Sequence, residues 1–268
     1  MTLTSFFYTN PVFSLDQAVQ SLGDGKNRRA MVDRLKHHVL NRRLKHVTRG
    51  IYAVVAPPGL DSEKFRPDPY LIGVSLRSDA VFSHHSALEL LGASHTVWST
   101  ITLYSARRRK SLNADGIKYS VSLHPTEMVD SNGASVGTRR VEHGGKILIT
   151  TGPERTLVEG FRKPALVGGL EELVNSARGF PVLDLSLLEN ILERFGTARL
   201  WAAAGWFLER FRAEFHVPGE FLDNFERRKP RGTQYTERKS RGGSFVKRWN
   251  LILPASLANK STPDESQS

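Results

Sequence analysis

Ser83-His84-His85-Ser86 sets two imidazoles between two hydroxyls, residue types that suit metal ligation or proton transfer. The spacing argues against both. Adjacent side chains on a helix project ~100° apart, whereas two helical metal ligands stand at i and i+4. Ser86 and Glu89 have capping-box spacing, Ser83 is an alternative N-cap, and Gly92 suits the position past a C-terminus. "HSALELL" therefore reads as a punctuated helix with Ala87, Leu88, Leu90 and Leu91 as core, and both histidines are expected to be structural. There is no H-E-x-x-H, P-loop, G-x-G-x-x-G after a strand, or G-x-S-x-G. "DGIK" at 115–118 offers a nuclease-like carboxylate and lysine without a preceding acid in suitable context. The expectation is a non-enzyme with no catalytic residue, metal or cofactor.

The chain has 268 residues, 39% hydrophobic and 24% charged, and no cysteine. It is long enough to bury a real core, and thiolate metal sites are excluded within it. No apolar run approaches the ~18 residues of a membrane span, Met1 is followed by no signal-type leader, and a cytoplasmic location is expected. Lys and Arg number 38 against 27 Asp and Glu, a net +11. Residues 26–50 hold nine basic residues and one acid, and so do residues 227–248. Each window thus carries +8, and the rest of the chain −5. Charge gathered at two places suits a surface that meets a polyanion, with nucleic acid the leading partner.

The elements that would position the first cluster come before "PPGLDSEKFRPDP" (57–69), which reads as a linker. Ser14 is an N-cap for a helix carrying Leu15, Ala18 and Leu22, with Gly23 past its end. A second helix follows over "RRAMVDRLKHHVL", where Met31, Val32, Leu35 and Val39 form an apolar stripe. Lys26, Arg29, Ala30, Asp33, Lys36 and His37 fall opposite it. "RRLKHVTRGIYAVV" then reads as a β-hairpin, Gly50 taking the positive φ of its turn. Helix, turn, helix and basic hairpin is the order of a winged helix-turn-helix. In that reading Arg29, Ala30, Asp33 and Lys36 face base edges, and Arg42, Arg43, Lys45, Thr48 and Arg49 contact phosphates. A winged helix used for protein contacts is the alternative.

Beyond the linker, helices are expected at 83–91, 151–162 (capping box Thr151/Glu154), 165–178, 186–195 (Ser186/Glu189) and 197–215 (cap Thr197). Strands are expected in "TVWSTITLYSA", "IKYSVSL", "KILIT" and "FVKRWNLILP". The class is α+β: an N-terminal winged helix-turn-helix over 1–56, a larger mixed domain over 70–254 and a polar, disordered tail over 255–268. Within the second basic window, Arg238, Lys239 and Arg241 are candidates for a further DNA contact, a solvated loop being the other reading.

Four segments in consistent order, "HVTRGIYAVV", "DPYLIGVSLRSDAVFSHHSALELLG", "ITTGPERTLVEGF" and "KRWNLILP", resemble the AbiEi antitoxins of bacterial type IV toxin-antitoxin systems, from about Pro11 to Pro254. The resemblance implies a winged-helix domain that binds inverted repeats in its own promoter and represses it. It also implies a C-terminal domain that supports antitoxicity, and a nucleotidyltransferase-like toxin countered without a stable complex. It places DNA binding on the second helix and on the hairpin ending Arg49-Gly50-Ile51-Tyr52, and it carries over no catalytic residue. The chain departs from the pattern at "GDGKN" and in the lead "MTLTSFFYTNP". Two further readings stand beside it: a winged-helix regulator whose C-terminal domain senses a ligand or partner, with no toxin, and a DNA-cleaving nuclease.

Overall fold

The computed structural model describes residues 2–22, 28–56, 61–107, 111–131, 135–237 and 243–258. The protein is mixed α+β and divides into two compact units, each assembled from separated stretches. One comprises 1–82, 98–123 and 140–149, the other 83–97, 124–139 and 150–268.

The first unit begins with helix α1 (Leu3–Thr9), in the lead where the sequence reading placed no element. Thr2 caps it, its Oγ1 accepting from the Ser5 amide at 3.2 Å. Seven residues are too few to show a helical period, which hid the element. Its Phe6 is fully buried and meets the Phe13 ring edge-on at 5.0 Å. Phe13 lies on strand β1 (Val12–Ser14), and helix α2 (Leu15–Leu22) follows directly. Ser14 caps α2 as expected, accepting from the Gln17 amide at 3.1 Å; Gly23 lies outside the described residues. Helix α3 (Arg28–Leu40) buries Met31 and Leu35, with Val32 and Val39 packed at the margin. Strands β2 (Leu44–Thr48) and β3 (Ile51–Val54) form an antiparallel hairpin, and β1 adds to β3 to give a sheet of order β1-β3-β2. Phe6, Phe13, Leu15, Ala18, Met31, Leu35, Leu44 and Tyr52 make one core beneath these elements.

The expected linker at 57–69 does not divide the chain. Residues 57–60 lie outside the described residues, and at its far end Asp68 caps helix α4 (Pro69–Leu76), accepting from the Tyr70 amide at 2.8 Å. Pro69 sits at the first helical position, where its missing N–H costs nothing. A six-stranded sheet completes the unit, formed by β4 (Val81–Phe82), β5 (Thr100–Ser105), β6 (Leu112–Ala114), β7 (Ile117–Leu123), β8 (Thr138–His143) and β9 (Lys146–Thr151) in the order β6-β7-β5-β4-β9-β8. Polar ties bind it to the N-terminal elements: Lys146 Nζ donates to Asn10 Oδ1 at 2.8 Å, and Lys45 pairs with Asp115. These ties and the packing around α4 are why 1–56 is not a unit of its own.

The second unit is mainly helical: α5 (His85–Leu90), α6 (Pro153–Arg162), α7 (Leu170–Ala177), α8 (Leu185–Phe195), α9 (Ala198–Arg210), α10 (Gly219–Arg227) and the short α11 (Ala255–Ala258). A small sheet of order β10-β12-β11 joins them, from β10 (Gln234–Tyr235), β11 (Ser244–Val246) and β12 (Leu251–Leu253). Trp249, fully buried in the turn before β12, completes a core shared by α6 to α10. Residues 255–258, expected to belong to the tail, form α11, which buries Leu257; residues 259–268 lie outside the described residues.

Helix positions agree with the sequence better than helix caps do. Asp184, two residues before Ser186, caps α8 by accepting from the Leu187 amide at 2.9 Å. At α6 the N-cap is Gly152, while Thr151 Oγ1 meets Thr156 Oγ1 at 2.7 Å and Glu154 is buried, accepting from the Asp184 amide at 2.9 Å. At α5 the N-cap is His84, without a side-chain cap bond. At α9 Thr197 is the N-cap, but its hydroxyl donates to Phe195 O at 3.0 Å instead of capping the helix. Thr151 and Thr197 make other local bonds, and Glu154 serves a partner thirty residues away, in place of the caps their spacing suggested.

Candidate nucleic-acid interface

The stripe of Met31 and Leu35 turns one side of α3 into the core, and helical geometry turns the other side outward. Arg29, Ala30, Asp33, Lys36 and His37 are all exposed on that side. Arg28, at the helix start, is ion-paired with Asp16 of α2, both side chains being well exposed. Lys36 Nζ stands 3.7 Å from Asp33 Oδ1 with both side chains about two-thirds exposed, a pair that contributes little to stability. His37 Nε2 is 2.9 Å from Asn41 Nδ2. Lys26 lies outside the described residues.

The turn after α3 brings a second group of cations alongside. Arg42 takes a left-handed conformation (φ 55°), so the chain reverses into β2 and leaves Arg42 and Arg43 exposed. In the hairpin, Thr48 pairs with Ile51 across Arg49-Gly50. Gly50 has φ 76°, the conformation its sequence position suggested, and Arg49 is exposed at the tip. Thr48 is half-buried. His38, on the inner flank of α3, is held below the usual imidazole range by burial and by the nearby His37, Arg43 and Arg34.

Lys45 stands apart from this set. Its ammonium lies 2.5 Å from Asp115 Oδ1 and donates to Phe65 O at 2.7 Å, and its side chain is 15% exposed. An ammonium spent on two internal acceptors is not presented to a phosphate. Asp115, the acid of "DGIK", has φ 50° and is followed by Gly116 at φ 81°. The pair forms the two-residue turn of the β6–β7 hairpin, a role Asp-Gly fills because both positions need positive φ.

A cleft of about 860 Å³ opens within the first unit beside this surface, and Arg28, Arg49, Asp16, Arg77, Asp79 and Lys146 stand among its lining residues. It falls in the size range of small-molecule sites.

In the second basic window, Arg238, Lys239 and Arg241 lie outside the described residues. Three of the six described cations of the window are ion-paired: Arg228 with Glu189 and Glu193, Lys229 with Glu226, and Arg248 with Glu209, Asp223 and Glu226. Glu226 lies just before the window, whereas Glu189, Glu193 and Glu209 on α8 and α9 are distant in sequence, so a count of the window does not include any of these acids.

His84 and His85 are buried, at 2% and 1% exposure. His85 faces Glu89 at 3.4 Å and Glu172 at 3.7 Å, and its Nε2 lies 3.4 Å from Thr96 Oγ1. His84 Nδ1 meets Ser83 Oγ at 3.0 Å. Its pKa is pulled down to about 3 by burial and by the cations of Lys163, Arg155 and Arg162. Among the described residues no group of three or more His, Cys, Asp or Glu side chains is placed to hold a metal ion, and no helix is long and apolar enough to cross a membrane.

A scan against protein-family models gives no match, and a search of curated proteins gives none. Among solved structures the chain is similar in fold to the RV2827C protein from Mycobacterium tuberculosis, with a TM-score of 0.61 and 17% sequence identity over 93% of this chain and 89% of that one. At that identity the likeness concerns the fold.

Proposed function

We propose that the protein is a DNA-binding transcriptional autorepressor and the antitoxin of a type IV toxin-antitoxin system. In this reading 1–56 is a winged helix-turn-helix, with α2 and α3 as the helix pair and β2–β3 as the wing. One observation carries it: the outward side of α3, with Arg29, Lys36 and His37, stays exposed next to a hairpin whose tip presents Arg49. A helix of this kind fits a major groove ~12 Å wide, and a basic wing follows the adjacent backbone. Arg29, Ala30, Asp33 and Lys36 then read base edges, while Arg42, Arg43, Thr48 and Arg49 contact sugar-phosphate. Lys45 is assigned to the internal ion pair instead. The antitoxin role rests on the resemblance of four ordered segments to AbiEi proteins, and its partner is a nucleotidyltransferase-like toxin opposed without a stable complex. Titrating the protein's own promoter fragment at rising salt tests DNA binding: neutralising 6–10 phosphates lowers affinity ~10³–10⁵-fold between 50 and 200 mM. Co-expression with the neighbouring gene, scored for growth rescue, tests the antitoxin role.

A second reading, a ligand-responsive regulator without a toxin, is favoured by the cleft that Arg28 and Arg49 border. A neighbouring gene unrelated to nucleotidyltransferases would select it.

A further inference from the structure

The small sheet of the second unit carries an exposed aromatic row. Tyr235 on β10 and Phe245 on β11 are both registered opposite Ile252 on the central strand β12. Residues directly opposite one another in a sheet project from the same face. On β12 the neighbours Leu251 and Leu253 are fully buried in the core, so Ile252 and its two partners occupy the outer face. Tyr235 is 56% exposed and Phe245 53%, among the most exposed large apolar side chains of the protein. Two interstrand steps separate the rings, ~10 Å between backbones. Gly243 brings the backbone against Ile252 and the Leu253 carbonyl at the start of β11, leaving no room for a side chain there.

The charge around this row is selective. The acids of α8–α10 neutralise Arg228, Lys229 and Arg248, whereas Arg231 and Lys247 are exposed and make no ion pair among the described residues. Exposed aromatics on a sheet bordered by cations form a stacking platform for unpaired bases: each base presents a π-face to a ring, and the cations follow the backbone. We infer that the Tyr235–Ile252–Phe245 face binds single-stranded nucleic acid through two unpaired bases, with Arg231 and Lys247 on the phosphates. A docking protein would gain nothing from the cationic border unless it were acidic, whereas a nucleic-acid strand supplies flat rings and regular negative charge together. The inference is independent of duplex binding by the first unit.

The test is fluorescence anisotropy of the full chain at low salt with labelled oligothymidylate, oligouridylate and an abasic strand of equal length and charge. Both base-bearing strands should bind, and tighter binding of one or the other identifies DNA or RNA as the source of the bases. Tyr235→Ala and Phe245→Ala should each lower affinity ~5- to 150-fold, the range for losing one stacked base, while Tyr235→Phe, which keeps the ring, should bind like the original. Both side chains are more than half exposed, so circular dichroism and melting of the alanine variants should match the parent, and their operator affinity should be unchanged. Equal affinity for the abasic strand would overturn the inference. So would concentration-dependent self-association abolished by Phe245→Ala, since a second copy would then be the occupant of this face.

Discussion

Lys45 Nζ and Asp115 Oδ1 stand 2.5 Å apart, joining the hairpin strand β2 to the turn between β6 and β7, with side chains only 15% and 12% exposed. The contact takes a lysine from the basic cluster around α3 and an acid from "DGIK", and gives both a structural role. Lys45→Ala should therefore act on stability. An exposed pair contributes at most ~1 kcal/mol and a buried one costs ~3–5 when a single partner is removed, so a loss of about 2–3 kcal/mol in urea unfolding is expected. Pairing Lys45→Met with Asp115→Asn, which tolerates the positive φ, should recover most of it. A full loss of operator affinity in a stably folded Lys45→Ala protein would contradict this assignment.

Arg49 and Arg29 should differ in kind. If the proposed DNA-binding role holds, Arg49→Ala should weaken all duplex sequences alike and lower the salt slope by about one. In the same proposed reading, Arg29→Ala should relax preference at one operator position by ~1–3 kcal/mol. Operator variants titrated against both proteins check this, and an exchange of the two patterns would mean that the helix anchors and the wing reads.

His84 gives the protein an acid limit. Its pKa falls from the ordinary value to about 3 in the folded state, so unfolding takes up a proton below the unfolded pKa near 6.5. The histidine's contribution is complete above about pH 6.5 and is lost progressively as pH falls toward 3, at up to ~1.4 kcal/mol per pH unit. His84→Asn, which does not titrate, should flatten the unfolding free energy between pH 6.5 and 5 relative to the parent. Identical slopes would show that His84 is not the group responsible.

Gly205 lies where α9 meets Trp249. A Cβ there would run into the indole ring, which is fully buried and donates from Nε1 to Glu209 Oε2 at 2.6 Å. The ring cannot swing aside without breaking that bond, so Gly205→Ala should cost at least the ~1–3 kcal/mol of an overpacked core, despite the better helix propensity of alanine. A melting temperature equal to or above that of the parent would refute the packing argument.

The amphipathic period alone located α3, its buried Met31 and Leu35 and its outward Arg29, Lys36 and His37; Gly50 marked the hairpin turn, and Ser14 the cap of α2. These are local properties, set by 3.6-residue and two-residue periods and by backbone conformations that few residue types adopt. The tertiary structure decided what depends on partners distant in the chain. It placed α1 over the N-terminal core through Phe6, tied Lys45 to Asp115, and set acids from α8–α10 against Arg228 and Arg248 of the second basic window. It also divided the protein without regard to the proline-rich stretch at 57–69. A residue's type and spacing establish what it can do, but burial and charge pairing are pairwise properties of the folded chain, and they select which cations remain exposed.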